Sequence, residues 1–259
     1  MLKQSFCLPA FPEALQDPVN FLQEVRKIGY AATEFWHLDA NSEELFEIVR
    51  QQDLRIASFT GHQSIEKGMN NPDDHDRIVG ELEKSIQIAA RWQIPGVICF
   101  AGSRICGQSD FDGLRYCARA LRRVLPLARE KNVNLNLELL NSRVDHFNYL
   151  GDHSAWGFAL CELLDHPNAK VLYDIYHMQI MEGDLIASIT RNIRYIGHFH
   201  TAGNPGRYLF DDTQELNYRG ICRAIAETGY SGYLAHEFFP REGEDALDLL
   251  RRAWEICNV

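Results

Sequence analysis

Asn134-Leu135-Asn136-Leu137-Glu138 alternates polar and apolar residues without a break. Successive side chains of a strand point to opposite faces, so Asn134, Asn136 and Glu138 share one face and the two leucines the other. The run therefore reads as a strand that is apolar on one side and finishes on a carboxylate. Three later runs finish in a similar way: Val171-Leu172-Tyr173-Asp174, Ile196-Gly197-His198-Phe199-His200 and Tyr233-Leu234-Ala235-His236-Glu237. In the third of these the alternation predicts Ile196, His198 and His200 on one face.

Working outward from these runs, strand-like segments end near Leu8, Phe35, Phe59, Phe100, Glu138, Asp174, His200 and Glu237. Between them lie stretches of helical period. Ser42 reads as the N-cap of a helix with an acidic first turn, and Asp73–Trp92 and Phe111–Lys131 carry apolar stripes. Pro126 predicts a kink in the second of these. Further helices are expected over Trp156–Leu164, Asp184–Asn192, Tyr218–Thr228 and Asp245–Cys257. Eight strands alternating with helices imply parallel strands joined by crossovers, an α/β fold. The first strand-to-helix turn, Leu8-Pro9-Ala10-Phe11, lacks the glycine fingerprint of a nucleotide-binding open sheet. A closed barrel of eight strands needs about 250 residues, and the chain has 259 with no linker-like segment. The expectation is one (β/α)8 TIM barrel domain over residues 1–259.

The formal net charge of −10 disfavours nucleic acid and anionic membranes as partners. No apolar stretch approaches the roughly 20 residues that span a bilayer, and the N-terminus does not read as a signal peptide. Seven cysteines, an odd number with no C-x-x-C pair, are expected as reduced thiols in a cytoplasmic protein. Arg115, Arg119, Arg122, Arg123 and Arg129 form a basic helix face, which suits a solvated surface or a subunit contact in a homo-oligomer.

Barrel active sites lie at the C-terminal ends of the strands. Glu138, Asp174, His200 and Glu237 would therefore converge at one rim. Three carboxylates and an imidazole in a confined pocket repel one another unless a cation intervenes, and this oxygen/nitrogen set suits Mn²⁺, Mg²⁺, Co²⁺ or Zn²⁺. Taken singly, an acid at a strand end is as readily a cap or an ion-pair partner. Four consecutive strands ending this way make the metal the better explanation.

Glu138-Leu139-Leu140-Asn141-Ser142, Asp174-Ile175-Tyr176-His177-Met178-Gln179, Gly197-His198-Phe199-His200-Thr201-Ala202-Gly203-Asn204-Pro205-Gly206-Arg207 and Gly232-Tyr233-Leu234-Ala235-His236-Glu237 resemble the signature segments of the hydroxypyruvate isomerase group. That group belongs to the xylose-isomerase-like barrels, with ketose 3-epimerases and endonuclease IV. The resemblance runs along most of the chain and is strongest over 134–240. It implies that Glu138, Asp174, His200 and Glu237 are metal ligands, that Glu138 and Glu237 are also the proton-transferring pair, and that His177 and Arg207 contact substrate oxygens. One segment departs: Gly206-Arg207-Tyr208-Leu209-Phe210 stands where close relatives of that group tend to read Gly-Arg-His-Glu-Pro.

The residues suit such chemistry. Two carboxylates on either side of a planar enediolate can remove and return a proton, while a metal polarises the α-hydroxy carbonyl. Arg207 can pair with a substrate carboxylate. His177, His62, Asn141 and Trp36 are further substrate-facing candidates, each with a packing role as its plain alternative. The expected function is a metal-dependent isomerase of hydroxypyruvate or a related 2-oxo acid, with a small-molecule partner only. The alternatives are a ketose 3-epimerase and an inactive sugar-binding barrel. An endonuclease IV-type nuclease is disfavoured, because Phe100-Ala101-Gly102-Ser103 and Gly206-Arg207-Tyr208 lack the histidines its zinc site needs. A Schiff-base aldolase is disfavoured because only Lys67, of six lysines, falls in a loop at the active face.

Overall fold

A computed structural model describes residues 1–259. Its strands are β1 Lys3–Phe6, β2 Ala32–Thr33, β3 Arg55–Ile56, β4 Gly96–Cys99, β5 Asn134–Glu138, β6 Ala169–Asp174, β7 Ile196–Thr201 and β8 Tyr233–His236. Six form one parallel sheet in the order β1-β8-β7-β6-β5-β4, and β2 pairs with β3. Parallel bridges at Cys7–Glu34 and Thr60–Ile98 join the two sheets on either side. Main-chain bonds from Ala31 N to Gln4 O (3.0 Å) and from Ile98 N to Phe59 O (2.9 Å) complete the ring. The fold is the expected (β/α)8 TIM barrel.

Nine helices cover it: α1 Pro18–Ile28, α2 Ser42–Gln51, α3 His75–Trp92, α4 Asp110–Lys131, α5 Ser154–Leu164, α6 Ile175–Met181, α7 Leu185–Asn192, α8 Tyr218–Glu227 and α9 Ala246–Cys257. Their apolar stripes pack on the outer faces of the strands, as Ile78, Leu82 and Ile86 of α3 and Leu121 and Leu125 of α4 do, all within 3% of full burial. Left-handed residues stop the two long helices, Gln93 at φ 58° after α3 and Asn132 at φ 55° after α4. Each turn returns the chain to the next strand. No helix is long and apolar enough to cross a membrane.

Several expectations change in detail. The second and third strands are only two residues long, because their outer neighbours meet them at single bridges rather than along a ladder. Asn41 precedes α2, and Ser42 is inside it, donating its hydroxyl to Asp39 Oδ1 at 2.9 Å. Pro126 lies within α4 without ending it. α6, not among the helices expected from periodicity, springs directly from the end of β6; five of its seven residues are buried, so no polar/apolar period marks it. A register shift between Val171 and Leu172 passes Gly197 by, interrupting the expected alternation of β7 before His198.

Candidate active site at the strand ends

Asp174 shows how local structure builds the site. It is the N-cap of α6: Oδ1 accepts the His177 backbone N–H at 3.1 Å. Oδ2 is thereby turned to the barrel axis, 4.0 Å from His200 Nδ1 and 3.6 Å from His177 Nε2. Burial, opposed by Arg207 and His200 and reinforced by Glu237 and Glu138, leaves the Asp174 carboxyl raised to about 7.

β5 ends on Glu138, β7 carries His200, and Glu237 directly follows β8. The four side chains meet as the strand-end pattern predicts. Ligand-type atoms of Glu138, Asp174, His200 and Glu237 all lie within 4.8 Å of one another, and all four residues are buried. His200 Nδ1 is 3.2 Å from Glu237 Oε2 and 3.3 Å from Glu138 Oε1. Neither contact aligns as a hydrogen bond, so Nδ1 is a buried nitrogen without a partner. An orphaned imidazole nitrogen facing three carboxylates fits a divalent cation. Burial alone would push the His200 imidazole down, but Glu34 and Glu237 override it and hold the ring well above its ordinary value.

Glu237 is the most heavily partnered of the acids. Trp36 Nε1 donates to its Oε1 at 2.8 Å and Arg207 donates to its Oε2 at 2.6 Å. Burial would raise it, yet Arg207 and His200 hold it well below the usual carboxylate range. Arg207 is fixed as firmly. Its backbone is left-handed, at φ 58°, and is tied by Arg207 N to Gly203 O (2.8 Å) and Phe239 N to Arg207 O (2.9 Å). The guanidinium lies 5.4 Å from the Tyr176 ring and 5.5 Å from that of Phe239, and its Nε has no partner. The residues that depart from the hydroxypyruvate isomerase pattern turn away: Leu209 and Phe210 are buried, and Phe210 packs on Tyr218 at 4.1 Å. Only Arg207 of that segment reaches the cavity.

The cavity encloses about 290 Å³ and is lined by Trp36, Phe100, Leu140, Phe239, Glu138 and Glu237, among others. A larger hollow, about 540 Å³, opens at the other end of the barrel beside Lys3, Asn136 and Lys170, and holds none of the converging carboxylates. His177 is fully buried on α6. Its Nδ1 is 2.6 Å from Asn141 Nδ2, and its Nε2 has no hydrogen-bond partner. Burial, then Arg207, push this imidazole well below its ordinary value, so it is neutral.

Two sequence candidates are committed elsewhere. His62 accepts the Phe100 N–H on Nε2 at 2.9 Å and has Gln63 O at 3.2 Å from Nδ1, leaving neither nitrogen for a ligand. Burial pushes it down to about 4, and its work is to pin the end of β4. Asn141 is completely buried; its Oδ1 accepts from Val144 N and Asp145 N, and its Nδ2 serves Asp145 and His177. It supports the loop after β5 and orients His177.

Sequence reasoning missed Glu34. It is 1% exposed, accepts from Cys7 Sγ at 3.0 Å and from His198 Nε2 at 2.8 Å, and its Oε1 is 2.8 Å from His200 Nε2, bent away from the ring N–H direction. Burial would raise it, yet His200 and His198 hold it well below the carboxylate range. Reading Ala31-Ala32-Thr33-Glu34 by the alternation used for β5 would have exposed it; ending that run at Phe35 hid it.

A family model described as a xylose isomerase-like TIM barrel matches residues 22–253. The chain is 33% identical over 141 residues to a 2-oxo-tetronate isomerase of Cupriavidus necator, 54% of this chain and 51% of that one. It is 32% identical over 138 residues to a hydroxypyruvate isomerase of Escherichia coli, 52% of this chain and 49% of that one. It thus spans about half the length of these relatives. Among solved structures, a 3-keto-D-glucoside 4-epimerase from E. coli superposes with TM-score 0.82 at 20% identity, covering 100% of this chain and 99% of that one.

Proposed function

Because the chain belongs to the xylose isomerase-like TIM barrel family, we propose that it isomerises a small α-hydroxy carbonyl compound, hydroxypyruvate or a related 2-oxo acid. In this reading residues 1–259 act as one domain, which the single continuous core supports. A cytoplasmic setting suits its seven unpaired cysteines, six of them buried. The observation that carries the proposal is the convergence of Glu138, Asp174, His200 and Glu237 within 4.8 Å, beside a guanidinium with an unpaired Nε.

Glu138, Asp174, His200 and Glu237 would hold a divalent cation: Mn²⁺, Mg²⁺, Co²⁺ or Zn²⁺. When bound, such a cation supplies Lewis-acid polarisation of the carbonyl. The remaining work falls to the chain. Glu237, kept ionised by Arg207 and His200, takes the proton from the carbon bearing the hydroxyl, and that C–H electron pair forms the enediolate. Glu138, protonated from solvent before turnover, delivers that proton to the neighbouring carbon, the hydroxyl hydrogen passes to the former carbonyl oxygen and Glu237 returns its proton to solvent, so no oxidant or reductant is needed. Arg207 pairs with the substrate carboxylate, His177 offers Nε2–H to a substrate oxygen, and Trp36 and Phe239 wall out water.

The family relatives act on 2-oxo acids by name, and a guanidinium that keeps Nε unpaired beside its bond to Glu237 suits an acid better than a neutral ketose. Product formation from a panel of 2-oxo acids and ketoses, with Mg²⁺ or Mn²⁺ and with chelator, tests this. Turnover of a 2-oxo acid is expected. Glu138→Gln and Glu237→Gln should each lower kcat by about 10²- to 10⁴-fold. Turnover of ketoses alone makes the protein a 3-epimerase, and full activity in either Gln variant removes the two-glutamate mechanism.

A further inference from the structure

Glu34 lies on the far side of His200 from the three carboxylates, and the proposed chemistry gives it no task. We propose that Glu34 is a positioning residue: it takes the Nε2–H of His200, so that the lone pair of Nδ1 is presented to a cation among Glu138, Asp174 and Glu237. This rests on the metal reading above.

An imidazole that gives one nitrogen to a metal must carry its hydrogen on the other, and that hydrogen needs an acceptor to fix the tautomer and the ring plane. The two ends of His200 face different groups, although neither nitrogen makes an aligned hydrogen bond. Nδ1 is 3.2–4.0 Å from the three acids, and Nε2 is 2.8 Å from Glu34 Oε1. Glu34 cannot drift, because the Cys7 thiol donates to the same oxygen and His198 Nε2 is 2.8 Å from the other. A carboxylate only 1% exposed is costly to bury, and without His200 and His198 it would have no compensating partner of charge. Being charged, it also raises the donor strength of the imidazole more than a backbone carbonyl would. The rival reading is that Cys7, Glu34 and His200 Nε2, which also lie within 4.8 Å of one another, hold a second cation themselves.

Two measurements on the full chain decide between these. Calorimetric titration with Mn²⁺ should give one ion per chain, bound about 10- to 100-fold more weakly by Glu34→Gln than by the native protein, with far-ultraviolet circular dichroism unchanged. Two-bond ¹H–¹⁵N correlation spectra of the native Zn²⁺-loaded protein should show His200 with its hydrogen on Nε2; this needs no variant and decides the matter if Glu34→Gln fails to fold. Affinity within twofold of native in folded Glu34→Gln, hydrogen on Nδ1, or two ions per chain would each overturn the positioning role while leaving the isomerase reading intact. Failure of the native protein to bind any of these cations would remove both.

Discussion

In the proposed reaction Arg207 would carry more of the specificity than any other single residue. A non-glycine residue in the left-handed region is uncommon and costs on the order of 1 kcal/mol or more, and here two main-chain bonds hold it there. The return is a guanidinium set between two aromatic rings, with one amino group on Glu237 and Nε unpaired. A charge-assisted hydrogen bond contributes about 1.5–3 kcal/mol. Arg207→Met should therefore lower kcat/KM for a 2-oxo acid by about 10- to 100-fold, raising KM through loss of the carboxylate's partner and lowering kcat because Glu237 loses a group that keeps it ionised. Steady-state kinetics check this, and an unchanged KM would detach Arg207 from the substrate carboxylate. At this scale the sequence was informative where a residue falls at or beside the end of a strand, as Glu138, Asp174, His200 and Glu237 do. It was silent where partners lie far apart in the chain: Glu34 and His198 are 164 residues apart, and only the barrel brings them together.

The strands and the joints between them set where these side chains meet. β5 was legible because alternation and a terminal acid coincide, so its facing followed from the side-chain pattern, and β6 because an apolar run ends on an acid. α6 was not legible: a helix buried on nearly every side has no stripe, and its N-cap doubles as a site residue. The bulge at Gly197 was equally hidden, since a lone glycine in a strand does not by itself announce a register shift. Its reason is steric. A Cβ at Gly197 would lie 2.2 Å from Asn136 Oδ1 and 2.9 Å from Lys170 Cβ. Gly197→Ala is accordingly expected to destabilise the barrel by about 1–3 kcal/mol. A urea denaturation midpoint equal to that of the native protein would show that β7 accommodates the methyl group and that the bulge does not depend on glycine.

The whole molecule is a barrel that concentrates its charge. The net charge of −10 includes three carboxylates gathered at one rim and a fourth, Glu34, behind them, arranged about a single imidazole. A field of that kind draws divalent cations and repels polyanions; in the proposed reaction two of these carboxylates would take a proton from one carbon and return one to the next. The most direct test is solvent isotope incorporation: the protein with Mg²⁺ and hydroxypyruvate in D₂O, followed by NMR. Proton transfer through Glu138 and Glu237 predicts deuterium at the carbons flanking the migrating carbonyl, lost on chelation and in Glu237→Gln. Isomerisation with no deuterium incorporated, or incorporation undiminished in Glu237→Gln, would contradict it.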